Sequence, residues 1–360
     1  MRGRTRRLFG AIGLLLLAAC AAPPAPPAAS SAPAPASAPA AASAPAAANA
    51  SVPATAQPAP LHLVVNWTAP SGSMGAIWMA HETGVFREEG LDAEVVNVQN
   101  SSRVIPAMLA GEIEVSPLDP ATTVQANLGG ADFVLYLAMR NRLGYSVTSQ
   151  PSITRPEDLR GKSLGVTRVG ASNHTAALVA LRTWGLVPDR DVAFRQLGEA
   201  SAIIAALQAG QIDAAVITEP VPRAIKAAGY PELIDLALTG PEYASVAVGG
   251  RRSWIAENEE AVRRYVRAHL RGDRRAREDK ELTLSLYRKY MQLDDPELLD
   301  DHYANYLALA PRQPYVSEAG MTRALDDLAA DDPRIAAYQA SDFIDSRYVR
   351  ELEGSGLFPP

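Results

Sequence analysis

Apolar residues in this chain come in short runs that switch between strand-like and helix-like spacing, with glycine, proline and polar clusters between them. Leu61-His62-Leu63-Val64-Val65-Asn66-Trp67 reads as a strand, and Pro70-Ser71-Gly72-Ser73 breaks it. Helical spacing follows over Met74 to Arg87. Next come a strand at Ala93 to Val98, a helix at Ser101 to Ala110 closed by Gly111, and a strand around Ile113 to Leu118. Val134 to Ala138 is a further apolar run, followed by a polar stretch through Tyr145. A second alternating block lies between Ile153 and Leu236. It predicts strands at Ser163 to Thr167, Val192 to Leu197 and Ala214 to Thr218, with helices at Ser172 to Trp184 and Ser201 to Ala209. Gly210 and Gly229 stand where helix ends need a left-handed residue. One more strand is predicted at Tyr243 to Val248, and beyond Asn258 the chain turns helical and charged. The βαβ alternation predicts parallel sheets, and no fixed-period repeat is present.

Ahead of this periodic region the character changes. Arg2, Arg4, Arg6 and Arg7 precede an apolar run from Leu8 to Leu17, and Leu17-Ala18-Ala19-Cys20 ends it. This is the build of an export signal, and the tetrad resembles a bacterial lipoprotein signal, which implies lipid on Cys20. Thr5-Arg6-Arg7-Leu8-Phe9 adds a hint of twin-arginine export. The apolar run is about ten to twelve residues, short of the about twenty needed to span a bilayer. Ala21 to Pro60 is almost all Ala, Pro and Ser, with nothing large to bury, so it reads as a disordered tether reaching up to about 120 Å.

Composition narrows the function classes. Cys20 is the single cysteine, so the folded part is expected to have neither a disulfide framework nor a thiolate metal site. Roughly 300 residues remain after the leader and tether, more than one domain usually holds, which predicts two lobes. The formal charge of -6 argues against nucleic acid as a partner. His62, His81, His174, His269 and His302 are scattered without His-Glu-x-x-His spacing, so no metal is expected. Gly161-Lys162-Ser163 lacks the glycine a phosphate loop requires, because Pro156 stands five positions earlier. Ser172 near His174 has no Gly-x-Ser-x-Gly elbow. No cofactor and no catalysis are expected. The runs Arg263-Arg264, Arg274-Arg275 and Glu278-Asp279 read as solvated helix faces.

Two phrases rhyme across the halves, Leu109-Ala110-Gly111-Glu112-Ile113-Glu114 and Leu207-Gln208-Ala209-Gly210-Gln211-Ile212-Asp213-Ala214. With Ala80-His81-Glu82-Thr83-Gly84-Val85-Phe86, Gly90-Leu91, Asp158-Leu159-Arg160-Gly161-Lys162, Gly185-Leu186, Asp191-Val192, Glu219-Pro220 and Phe343-Ile344-Asp345, they form an ordered set. The set resembles the solute-binding proteins of ABC importers, in particular the alkanesulfonate, taurine, nitrate, thiamine-pyrimidine and riboflavin group. The resemblance implies an α/β type II periplasmic-binding-protein fold, two lobes with a cleft and two crossover segments. It assigns residues 1–20 to the signal, 21–60 to the tether, 61–150 plus 245–360 to lobe one and 151–244 to lobe two.

Open α/β sheets bind ligands beyond the carboxyl ends of their strands, where helix N-termini offer free N–H groups. The candidate ligand-binding residues on those loops are Asn66, Trp67, Ser73, Ser101, Asp119 and Tyr145, then Gly170, Ser172, Asn173, Glu199 and Glu219. Trp67 and Tyr145 offer flat faces for a ring, which favours a heteroaromatic vitamin or precursor, riboflavin or a thiamine pyrimidine. The small-residue helix starts at Ser73 and Ser172 support the competing reading, an alkanesulfonate or taurine-type anion. An enzyme of the pyrimidine-synthesis type on the same fold is the alternative from another class. The resemblance also implies an ABC permease and its ATPase subunit as partners, with an extracytoplasmic protein held to the cell membrane by the lipid on Cys20.

Overall fold

The computed structural model describes residues 59–99, 101–221, 223–330 and 332–358. Ten strands form two sheets. They are β1 (Leu61–Trp67), β2 (Leu91–Asn97), β3 (Ser116–Leu118), β4 (Phe133–Arg140), β5 (Tyr145–Ser149), β6 (Lys162–Val166), β7 (Val192–Gln196), β8 (Ala214–Thr218), β9 (Glu232–Asp235) and β10 (Val246–Arg251).

In lobe one β1 pairs in parallel with β2 and reaches the segment before β3 through a parallel bridge, Val65 to Val115. The rest of that sheet runs β3-β10-β4, with β10 antiparallel to both neighbours. Lobe two is ordered β7-β6-β8-β5-β9, with β5 antiparallel to β8 and β9. Each lobe thus has four strands in one direction and, in fourth place, one reversed strand arriving from the other lobe. The two crossovers are residues 141–144 and 236–245.

Apolar side chains on the two faces of each sheet generate the layers. One face of lobe one is covered by the helices Gly75–Glu82, Glu259–Glu278, Lys280–Met291 and Pro296–Leu309, which enclose Trp78, Tyr265 and Tyr287. The other is covered by Ser101–Ala110, Pro120–Leu128 and Glu318–Ala329. In lobe two Ser172–Thr183 covers one face and Ala200–Gln208 the other. The run Phe133 to Met139 is buried throughout, as expected of a strand covered on both sides. Its outer edge is closed by the chain terminus, where Leu135 N donates to Phe343 O at 2.9 Å and Asp345 N to Leu135 O at 2.8 Å. Among the described residues no helix is long and apolar enough to cross a membrane.

Several expectations change. The helix anticipated over Met74 to Arg87 is two, Gly75–Glu82 and Val85–Glu88, because Gly84 takes φ 77° and Thr83 Oγ1 turns back onto Met79 O. The chain after β3 runs directly into a helix, Pro120–Leu128, capped by Asp119. The expected end of lobe one at residue 150 moves back. Tyr145 to Ser149 pair with β8 and β9, so the crossover comes before Tyr145. The strand placed at Tyr243 to Val248 starts only at Val246. The charged helix faces are not simply solvated. Arg263 pairs with Glu259 and Glu351, Arg264 with Glu260 and the Gly90 carbonyl, and Arg274 with the carbonyls of Gly356 and Phe358.

Candidate functional site

The carboxyl ends of the co-directional strands in both sheets point to the region between the crossovers. From lobe one come the turn after β1 at Gly72–Met74, the start of the Pro120–Leu128 helix at Asp119, and Arg140 at the end of β4. From lobe two come Tyr145 at the start of β5, the start of the Ser172–Thr183 helix, and Glu219 after β8. The crossovers bind each other here, Tyr243 N to Asn141 O at 3.0 Å and Ser245 N to Arg140 O at 3.2 Å.

Tyr145 is the meeting point. Burial raises its phenol pKa, the nearby Ser172 hydroxyl offsets part of that rise, and the charges of Arg140 and Asp119 act on it from the other lobe. Ser172 is exposed and leaves its helix uncapped: the N-cap position belongs to Ala171, which has no side-chain oxygen. Both hydroxyl and N-terminal backbone groups therefore face the junction, where a negative group gains from them. Gly170 takes φ 82°, which makes the tight entry to this helix, and its N–H donates to His174 Nδ1 at 3.3 Å. His174 packs edge-on to Phe194.

Other predicted residues are committed to the fold. Asn66 is fully buried. Its Nδ2 donates to Val98 O at 3.1 Å and Ser116 Oγ at 3.0 Å, and its Oδ1 accepts from Val98 N at 2.7 Å. That corrects its assignment as a ligand contact, because it ties β1 to the ends of its two neighbours. Asn173 is likewise buried and accepts from Thr167 Oγ1 at 2.8 Å. Trp67 meets Trp78 edge to face at 5.4 Å and Tyr290 at 5.8 Å, and Trp78 stacks on Tyr290 at 4.8 Å. The Trp67 ring is thus built into an aromatic cluster. Ser73 Oγ lies 2.7 Å from Ser71 Oγ.

Asp119 caps its helix, Oδ1 accepting from Thr122 N at 2.8 Å and Oδ2 from Thr122 Oγ1 at 2.7 Å. Glu199 occupies the N-cap of Ala200–Gln208 and is exposed. Ser101 begins the helix Ser101–Ala110, but its side chain, like all of Cys20, lies outside the described residues.

Glu219 is only 7 % exposed. It accepts from Ser146 Oγ and from Val221 N at 3.0 Å, and a cis bond joins it to Pro220. Burial pushes its carboxyl pKa up, and Asp235 and Glu232 add to the rise. Oxygens of Glu219, Glu232 and Asp235 lie within 4.8 Å of one another, the one grouping among the described residues with the donors for a metal ion. Protein groups already reach all three: the single Ser146 hydroxyl, shared between Glu219 and Glu232, and the N–H groups of Ala237 and Leu238 at Asp235.

Arg140 stands at the same junction and was not among the residues that the sequence singled out. It reads as the polar end of an apolar run, and its only signal was position, one residue before the first crossover. Its Nε is buried without a hydrogen-bond partner, and its Nη2 donates to Asn305 Oδ1 at 3.3 Å.

Comparison with known proteins gives the family and the fold. Residues 72–281 match the family described as NMT1/THI5 like. A protein of Brucella abortus (strain 2308) described as a binding protein is 27 % identical over 226 residues, 61 % of this chain and 68 % of that one. The taurine-binding periplasmic protein of Escherichia coli (strain K12) is 28 % identical over 145 residues, 40 % of this chain and 44 % of that one. Among solved structures, the periplasmic aliphatic sulphonate binding protein SsuA from Escherichia coli superposes with a TM-score of 0.63 at 21 % identity, covering 77 % of this chain and 94 % of that one. The likeness establishes the periplasmic-binding-protein fold for the two lobes.

Proposed function

We propose, from the premise that the chain belongs to the NMT1/THI5-like family, that it is the extracytoplasmic solute receptor of an ABC importer. It holds a small organic anion of the alkanesulfonate or taurine kind in the cleft between its lobes and hands it to a permease. The observation that carries this reading is the uncapped start of the Ser172–Thr183 helix. Its exposed Ser172 hydroxyl stands beside Tyr145, at a junction where Asp119 and Arg140 of the other lobe also act.

The sequence favoured a heteroaromatic vitamin because two rings were free to stack. In the fold Trp67 is packed edge-on into the cluster with Trp78 and Tyr290, and Tyr145 stands beside the Ser172 hydroxyl. That weakens the stacking argument and moves preference to the anion. Binding of this kind needs no bond-making group, so the receptor does no chemistry. Closure follows as hinge motion at the residues 141–144 and 236–245.

Calorimetric titration with taurine, ethanesulfonate, nitrate, riboflavin and a thiamine pyrimidine tests the reading. Saturable binding of a sulfonate is the expected result, and heats that stay featureless across the panel would sink the receptor. In the same proposal the lipid on Cys20 and the tether keep the lobes near the permease, raising their effective concentration there. Cys20→Ser should release a soluble protein that still binds solute; a variant that stays with the membrane would overturn the anchor.

A further inference from the structure

We infer that Arg140 is the seat of the solute's negative group, so that the guanidinium selects small organic anions and joins the bound ligand to both crossover segments. The inference rests on the receptor reading above and deepens it.

The first observation is a deficit of partners. A guanidinium carries five N–H donors in a fixed fork, with no acceptor of its own. At Arg140 the Nε is buried without a partner, and the bond from Nη2 to Asn305 Oδ1, at 3.3 Å, is long. Among the described residues no carboxylate forms a salt bridge with it. Arg277, by contrast, places its Nε 3.1 Å from both oxygens of Asp273. The titratable groups around Arg140 are the phenols of Tyr145 and Tyr287, kept protonated by burial, and the Glu219 carboxyl, and Arg140 acts in turn on His302. Glu219, the one carboxylate among these, is engaged with Ser146 and the Val221 N–H.

The second observation is that the chain makes room for the cation. Gly144 has an ordinary backbone conformation, outside the positive-φ region. A Cβ there would fall 1.7 Å from Arg140 Nη1 and 2.9 Å from Cζ. The first crossover therefore runs against the guanidinium, while the Arg140 carbonyl accepts from Ser245 N of the second crossover. A desolvated cation with unused donors is costly unless an anion completes it, and a sulfonate or carboxylate matches the fork with two oxygens.

The test compares wild-type protein with Arg140→Gln and Arg140→Lys. Each is titrated with taurine, ethanesulfonate, nitrate and riboflavin, and the ligand-free melting midpoint is measured. Arg140→Gln should bind the sulfonate about 100-fold more weakly or worse. Arg140→Lys, which keeps the charge without the fork, should lose about tenfold. The ligand-free midpoint of Arg140→Gln should match or exceed that of wild type, since an uncompensated buried charge has been removed. Anion affinity kept within about threefold in Arg140→Gln overturns the inference. A midpoint lowered by more than about 5 °C overturns it too, because Arg140 would then be structural. Wild-type binding of riboflavin but no anion refutes the inference and leaves the receptor standing. Binding of none of the four removes both.

Discussion

Gly144→Ala is the sharpest probe of the junction, because it moves a charge without deleting it. The new Cβ would sit 1.7 Å from Arg140 Nη1, whereas non-bonded contact begins at roughly 3.5 Å. The guanidinium must therefore retreat by about 2 Å, which exceeds the tolerance of a hydrogen bond. Each charge-assisted bond lost is worth about 1.5 to 3 kcal/mol, so affinity for a sulfonate should fall by about 10- to 100-fold. Folding should hardly suffer. What the methyl meets is the end of a flexible side chain, and alanine in an ordinary conformation gains about 0.4 to 1 kcal/mol by restricting the unfolded chain. Calorimetry gives the affinity and a thermal scan gives the stability. On an Arg140→Gln background the same substitution should add nothing, since both act on one group. Unchanged affinity in Gly144→Ala would refute the reasoning, as would an additive loss in the double variant.

Gly272→Ala, also without a left-handed conformation, should go the other way. Its Cβ would lie 2.3 Å from Ala76 O, a rigid backbone atom of the helix it packs against. Overpacking of about 1 to 3 kcal/mol then outweighs the about 1 kcal/mol that alanine brings to a helix, and a raised midpoint in thermal unfolding would contradict this. Asn66→Ala strands the Val98 N–H and the Val98 carbonyl and should cost about 3 kcal/mol in urea unfolding. A variant of wild-type stability that fails to bind solute would return Asn66 to the ligand. Burial lowers the His269 pKa from 6.5 to about 4, so below pH 6.5 the unfolded chain takes up a proton that the folded one refuses. Stability should therefore fall as pH drops from 6.5 to about 4, by about 3 kcal/mol for this group. His269→Gln should remove that part of the slope in pH-dependent urea titrations, and an unchanged slope would exclude it.

The sheets were legible because their strands bury apolar side chains at regular spacing, and spacing is a local property. Leu61 to Trp67 and Ala214 to Thr218 stand close to where their patterns put them. β5 was not legible. Ser146 and Thr148 give it one polar face and Ser149 ends the other, although all three are buried between the strands it joins. Ser146 finds its partners far along the chain, Glu219 and Glu232 more than seventy residues on, whereas Ser149 Oγ donates to the nearby Ile153 carbonyl and Thr148 Oγ1 is buried without a partner. The same limit separates the site residues. Ser172 stands out as a candidate, because a strand, a glycine and a small-residue helix start are contiguous in the chain. Asn66 fell on the right loop and yet faces inward, since periodicity locates a strand end without saying which polar groups its neighbours need. Arg140 had no local signature. Its state is set by Gly144, four residues on, and by Asn305, 165 residues away. A glycine with ordinary backbone angles in a crossover reads as a hinge; only the guanidinium against its Cα explains why a side chain there would displace Arg140.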